Sequence, residues 1–228
     1  MRVHTCLKGQ IISYTLRRSK RKSIGLRIDH RGLSIHIPHQ LANADVENVL
    51  QEKADWIRQK LRQWGNKKSL ELGWKFDASF PLLGEPWQIT LNASGQIAMV
   101  PQQSAKFATQ HLQQLDSRQI ETFVMAWYGE QAMTCFRERI GIYAQALKVS
   151  IPPFRLSKAK TRWGSCNHRG LISLNWRLIQ LPLHLIDYVV VHELAHLLEM
   201  NHSKAFWQKV ESVYKDYQVA REQLREYS

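Results

Sequence analysis

Val191-His192-Glu193-Leu194-Ala195-His196-Leu197-Leu198 is the stretch that decides how this chain is read. In a helix, two histidines four residues apart share one face, a turn from each other. Neutral imidazoles at that spacing can occupy two corners of a zinc tetrahedron. The glutamate beside the first histidine can act as general base towards water at such a metal. From Leu183 to Leu198 the segment is apolar nearly all round, which predicts a buried helix. Burying His192, Glu193 and His196 without partners would cost roughly several kcal/mol. A divalent cation, expected to be Zn2+, serves all three at once.

Working outward, Met200-Asn201-His202 forms a short link after this helix. Asn201 suits the left-handed conformation that ends a helix and reverses the chain. Ser203 is the expected N-cap of a following helix, whose apolar stripe is Phe206, Trp207, Val210, Val213, Tyr214 and Tyr217. That stripe would pin the second helix to the core and turn His202 back towards the metal. Glu199 shares the helical face of His192 and His196 and is the rival third ligand; Glu211, one helix later, is a weaker one. His202 is favoured because three histidines leave the open position that catalysis needs.

The strings His192-Glu193-Leu194-Ala195-His196, Asn201-His202-Ser203 and Phe206-Trp207 resemble the YgjP-like metallopeptidases, also called the DUF45 group, relatives of the SprT-like and WLM zincins. A second block matches at Thr161-Arg162-Trp163-Gly164-Ser165-Cys166 and Leu174-Asn175-Trp176-Arg177-Leu178. A third lies at Arg17-Arg18-Ser19-Lys20-Arg21-Lys22, Ile37-Pro38 and Ala54-Asp55-Trp56-Ile57. Leu70 to Ser117 is the least distinctive part. The resemblance implies a zincin-like catalytic domain with His192, His196 and His202 as ligands and Glu193 as base, acting on a peptide or protein substrate. Longer SprT-type proteins often end in a cysteine zinc ribbon; no C-x-x-C pair exists here, so no role that needs the ribbon carries over.

With 228 residues, 44% hydrophobic and 22% charged, the chain has the make-up of a folded protein of one or two domains. Lys and Arg number 32 against 19 Asp and Glu, a bias that would attract polyanions or acidic partners, nucleic acid among them. The basic run Arg17 to Lys22 is expected in a hairpin turn, as a solvated loop. Cys6, Cys135 and Cys166 make no disulfide framework, which fits a reducing compartment. The N-terminus, with Arg2, His4 and Lys8, shows no secretory h-region. No stretch of 18 apolar residues exists, so no membrane span is expected, and a cytoplasmic location follows.

The fold class expected is α+β, with a β-rich region over 1–103 and a zincin-like metallopeptidase domain over 104–228. Ile24, Leu26 and Ile28, then Leu33, Ile35 and Ile37, alternate about the turn Asp29-His30-Arg31-Gly32. One helix is expected from an Asn43 cap to Gly65. A second hairpin turns at Asn92-Ala93-Ser94-Gly95. The polar stretch Pro101 to Thr109 marks the boundary. A long helix spans about Ser117 to Leu147, with Ile151-Pro152-Pro153 as its stop. A hairpin runs from Phe154 to Cys166, turns at Asn167-His168-Arg169-Gly170 and returns from Leu171 to Trp176. The helix of His192 and its partner close the fold.

The chemistry these residues suggest is peptide hydrolysis by metal-activated water, with Glu193 moving the proton. His168, Arg162 and several tyrosines are candidates for stabilising an oxyanion. The Thr161 to Trp176 hairpin offers an edge strand for an extended peptide, while Trp163 and Trp176 read as core. Asn175 is read as a support for a ligand or as a turn or capping residue. The alternative function is a non-catalytic, metal-stabilised basic module that binds nucleic acid or an acidic protein. A thiol enzyme built on Cys166 and His168 is the third reading, disfavoured because nothing local activates the thiol. Oligomeric state is not legible.

Overall fold

The computed structural model describes residues 2–29, 32–65, 70–91, 94–104 and 116–227. Its architecture is α+β, as the sequence predicts, and it separates into two compact units, Met1–Lys68 and Ser69–Ser228. Among the described residues no helix is long and apolar enough to cross a membrane.

The first unit is a four-stranded sheet, β1 (Arg2–Leu7), β2 (Gln10–Ser19), β3 (Gly25–Asp29) and β4 (Gly32–Pro38), in the order β1-β2-β4-β3. Lys8 and Gly9 join β1 to β2 with φ of 48° and 80°, the left-handed pair a two-residue hairpin requires. Alternation sends Leu7, Ile12, Tyr14, Leu33, Ile35 and Ile37 to one face, buried under two helices, α1 (Asn43–Glu52) and α2 (Ala54–Gly65). Val46, Leu50, Ala54 and Ile57 form the helical side of that core.

Three expectations are corrected here. The helix is two helices, broken at Lys53. Asn43 caps nothing; its Oδ1 accepts a hydrogen bond from Arg18 Nη2 at 2.8 Å. The basic run is not a hairpin turn. It leaves the end of β2 for β3 and passes β4, because β2 and β4 pair in parallel. Arg18 within it is a structural staple, donating to the carbonyls of His39 and Leu41 at 2.8 and 2.7 Å. The turn residues His30 and Arg31 lie outside the described residues, as do Asn92 and Ala93 of the second hairpin and residues 105–109 of the expected boundary stretch.

The second unit begins with an antiparallel meander, β5 (Phe80–Leu82), β6 (Glu85–Leu91) and β7 (Ile97–Pro101). Phe80, Leu82 and Ile89 share one buried cluster with Val124, Tyr128, Leu178 and Leu181. The β5–β6 turn is also hydrogen-bonded to the later chain, Leu83 N to Ile179 O at 2.8 Å and Gly84 N to Gln180 O at 3.2 Å. The meander thus packs with the C-terminal unit. Composition grouped it with the N-terminal region, ending at 103, because only the packing of its apolar face reveals which core it joins.

Helix α3 (Ser117–Leu147) starts at Asp116, whose side chain accepts from the amides of Arg118 and Gln119 while Gln119 reaches back in a capping box. It ends at Lys148 in the left-handed conformation, before Pro152 is reached. Next come β8 (Phe154–Ser157), β9 (Gly164–Cys166) and β10 (Ile172–Asn175), in the order β8-β10-β9. This too differs from the expected long hairpin: β9 and β10 are antiparallel, but β8 runs parallel to β10, and residues 158–163 carry the chain across. Helices α4 (Leu183–Ala195), α5 (Lys204–Val213) and α6 (Tyr217–Leu224) complete the unit.

Helix α4 is tied to α3 by an ion pair. Arg139 Nε and Nη2 donate to the two oxygens of Asp187 at 2.6 and 2.9 Å. Asp187 is buried, so removing its charge strands the guanidinium. Breaking a fully buried pair costs about 3–5 kcal/mol, and Arg139 keeps 17% of its side chain in solvent. The Asp187→Asn chain should therefore lose about 2–3 kcal/mol of stability, read from its denaturant midpoint; an unchanged midpoint contradicts the role given to this pair.

Candidate metal centre

Helix α4 is buried almost throughout, and His192 faces the third small core, where Val191 and Ala195 meet Phe206 and Val210 of α5. His196 follows one turn later as the helix C-cap. The chain then reverses through Met200 and Asn201. Asn201 is not left-handed, contrary to expectation; its Oδ1 instead accepts from Ser203 N at 3.0 Å. Ser203 caps α5 as predicted, accepting from Phe206 N at 3.3 Å. With the start of α5 fixed this way, His202 returns to the face of α4.

The three imidazoles converge. Each offers one nitrogen, and the three atoms lie within 4.8 Å of one another. His192 Nε2 and His202 Nε2 face each other at 3.0 Å. His196 Nδ1 lies 3.0 Å from the carbonyl of Glu199. A carbonyl only accepts, so Nδ1 carries the proton there and the neutral ring presents an unprotonated Nε2. Phe206, wholly buried, packs under all three rings at 4.9, 4.6 and 4.8 Å. Trp207 stacks on His202 at 5.8 Å.

The electrostatics favour neutral rings. Burial, then the neighbouring imidazoles His196 and His202, push the His192 pKa down to about 3. Burial also lowers His196. His192 Nδ1 is buried without a hydrogen-bond partner. Two inward ring nitrogens at 3.0 Å in an apolar setting fit a shared cation better than they fit each other. The donor set, three imidazole nitrogens, suits zinc and its transition-metal neighbours. The group found among the described residues contains neither Glu199 nor Glu211; Glu199 takes part through its backbone carbonyl.

Glu193 sits beside this cluster, 5% exposed. Burial pushes its pKa up to about 7, partly opposed by the Arg162 guanidinium and by the backbone N–H of Cys166. Its side chain lies against Gly164 of β9. A Cβ at Gly164 would stand 2.7 Å from Glu193 Cγ and 2.8 Å from Cδ. The strand can come this close to α4 only because position 164 has no side chain.

The remaining sequence candidates fall elsewhere. His168 is exposed in the β9–β10 turn. Arg162 is exposed but near enough to Glu193 to act on its charge. Burial, then the Glu193 charge, raises the Cys166 pKa, the opposite of what a nucleophilic thiol needs. Asn175 reaches no imidazole. Buried at the end of β10, it donates to the carbonyls of Ala159 and Arg162 at 2.8 and 3.2 Å and caps Arg177 N at 3.1 Å. It holds the link that delivers the chain into β9. Two features escape a reading of the sequence alone, Gly164 against Glu193 and Phe206 beneath the imidazoles. Phe206 lies four residues after His202, at the helical spacing that could have flagged it.

Comparison with known proteins shows the family. The chain matches the family described as YgjP-like, metallopeptidase domain, over residues 22–227. It also matches the crystal structure of the metallopeptidase zymogen of Pyrococcus abyssi abylysin, at 23% identity, covering 39% of this chain and 90% of that one, with a TM-score of 0.37. No curated protein sequence matches. The chain belongs to the YgjP-like metallopeptidase family, and is a metal-dependent hydrolase of peptide or protein substrates.

Filling the space at Gly164 tests the close approach. The Gly164→Ala chain must shift either β9 or the Glu193 side chain, an overpacking that should cost about 1–3 kcal/mol. A thermal unfolding midpoint equal to that of the unaltered chain contradicts the contact.

Proposed function

We propose that this YgjP-like chain hydrolyses peptide bonds with one zinc ion held by His192, His196 and His202 and with Glu193 as general base. The observation that carries this reading is the convergence of three imidazole nitrogens within 4.8 Å beside a buried carboxylate. Zinc, when bound, lowers the pKa of a water and polarises a carbonyl.

The chain's own residues do the rest. Glu199 O fixes the ring of His196, and the Ser203 cap fixes the approach of His202. Phe206 keeps water from the underside of the cluster. Glu193 accepts a proton from the attacking water at its carboxylate and later gives it to the leaving amine. The amide of Cys166 and the open space at Gly164 hold that carboxylate in register. Strand β9 pairs with β10 on one side only, and its other edge is unpaired among the described residues. A peptide adding to that edge as a further strand lies alongside Glu193.

Two measurements test this. The Glu193→Gln chain is expected to keep its zinc by elemental analysis while peptide cleavage falls roughly 10²–10⁴-fold; cleavage at the unaltered rate overturns the base. In calorimetric zinc titrations, His202→Ala should lose binding while Glu199→Ala retains it, since Glu199 contributes only its backbone. The reverse order moves the third ligand.

A further inference from the structure

Strand β9 is Gly164-Ser165-Cys166, which offers almost no side chain with which to choose a peptide. Selection along its edge away from β10, unpaired among the described residues, falls to the segments at its two ends. The link 158–163 leads into β9, and the turn 167–170 leads out of it towards β10. Asparagines hold both in place. Asn175 Nδ2 donates to the carbonyls of Ala159 and Arg162 at 2.8 and 3.2 Å, and Asn175 N donates to Trp163 O at 2.7 Å. In the turn, Asn167 Oδ1 accepts from the amides of Arg169 and Leu171 at 2.9 and 3.0 Å.

These fixed segments carry one sign of charge. Between Glu138 and Asp187 the sequence has no acid and eight Lys and Arg. The whole β8–β10 sheet lies within that stretch. Three of the eight are engaged within the fold: Arg139 with Asp187, Arg155 Nε with Ser173 Oγ at 3.1 Å, and Arg177 over the Trp176 ring at 5.7 Å. Lys158, Lys160 and Arg162 stand on the link and Arg169 on the turn, all exposed. Among the described residues none of these four is held in an ion pair. Helix α4, packed against β9, brings two carboxylates. Asp187 is taken by Arg139, and Glu193 is 5% exposed. Glu199, half-buried, follows past the end of α4 on the His196 side.

We propose that Lys158, Lys160, Arg162 and Arg169 select acidic peptide segments for the metal centre, by meeting carboxylate side chains on either side of the scissile bond. A strand advances about 3.3–3.4 Å per residue. A peptide paired along β9 therefore needs only one or two further residues at each end to come level with the link and the turn. Arg162 already stands near enough to Glu193 to act on its charge, which places the link beside the reacting groups. Fixed backbones reduce the cost of ordering these cations, and their common sign draws acidic chains in and turns basic ones away. Nucleic acid is a poorer match. A phosphodiester chain has no alternating N–H and C=O to complete a strand edge, and Trp163 packs against the core, so its ring is not offered to a base. Acidic-peptide selection presupposes the peptidase reading above, and the two fail separately.

Two fluorogenic peptides test it, identical except that the residues flanking the central cleavable bond are Glu in one and Gln in the other. At low salt the zinc-loaded chain is expected to cleave the Glu peptide at least about fivefold better in kcat/KM, with the difference in KM. The gap should narrow as salt rises. Lys158→Gln, Lys160→Gln and Arg169→Gln together should bring the two peptides within about twofold, with cleavage of the Gln peptide unchanged. Arg118→Gln with Arg137→Gln, both exposed on α3, should leave the preference intact. Arg162 is left unaltered because it acts on Glu193. Fluorescence anisotropy of the labelled Glu peptide on the Glu193→Gln chain reads selection without cleavage, and the same triple change should weaken that binding at least ~5-fold. Equal cleavage of both peptides by the unaltered chain, or a preference that survives the triple change, overturns the proposal and leaves the peptidase reading standing. If neither peptide is cleaved, the peptidase reading fails and anisotropy decides: weakened binding in the triple variant supports selection of acidic segments. Unchanged binding, or tighter binding of a DNA duplex than of the Glu peptide, overturns it.

Discussion

Three imidazoles brought together on one phenylalanine ring are the constraint that orders the C-terminal unit. Their nitrogens can converge only if α4 is buried, the chain reverses sharply after His196, and α5 begins where Ser203 caps it. Each condition has its own physical source. Helix α4 is buried because it is apolar on nearly every face and is anchored to α3 through Arg139 and Asp187. The reversal is fixed by polar side chains and carbonyls rather than by a glycine. The start of α5 is fixed because Phe206 and Val210 have a core to enter. Burial then keeps His192 and His196 neutral, the state in which an imidazole can donate a lone pair.

The same burial gives Glu193 its character. A carboxylate beside a closed apolar helix face ionises reluctantly, and here burial dominates over the opposing Arg162 and Cys166 N–H. In the proposed role of general base it must face the reacting groups while most of its surface stays dry. Helix and sheet meet this need jointly. Helix α4 supplies the carboxylate, and β9 supplies a gap and an amide. Asn175 sets the link before β9, so the gap falls at Gly164 and not at a neighbour.

How much of this is legible in the sequence follows from distance along the chain. The spacing of His192 and His196, the Ser203 cap and the return of His202 are local, and the sequence displays them. The approach of Gly164 to Glu193 joins two distant segments; the glycine alone reads as any strand glycine. Asparagines mislead twice. Asn43 and Asn201 have short amide side chains that serve as cap, turn or remote acceptor equally well; tertiary context makes Asn43 a remote acceptor for Arg18, while Asn201 closes a local turn onto Ser203 N. Alternation identifies strands but not their partners, so the parallel pairings of β2 with β4 and β8 with β10 escape it. The β5–β7 meander is assigned to the wrong neighbour for the same reason: an apolar face does not state which core it will join.

X-ray absorption at the metal edge of the zinc-loaded chain tests the central claim most directly. The account predicts three imidazole nitrogens and one oxygen around the ion, at about 2.0–2.1 Å. A spectrum containing sulfur, or one with fewer than three imidazoles, contradicts it.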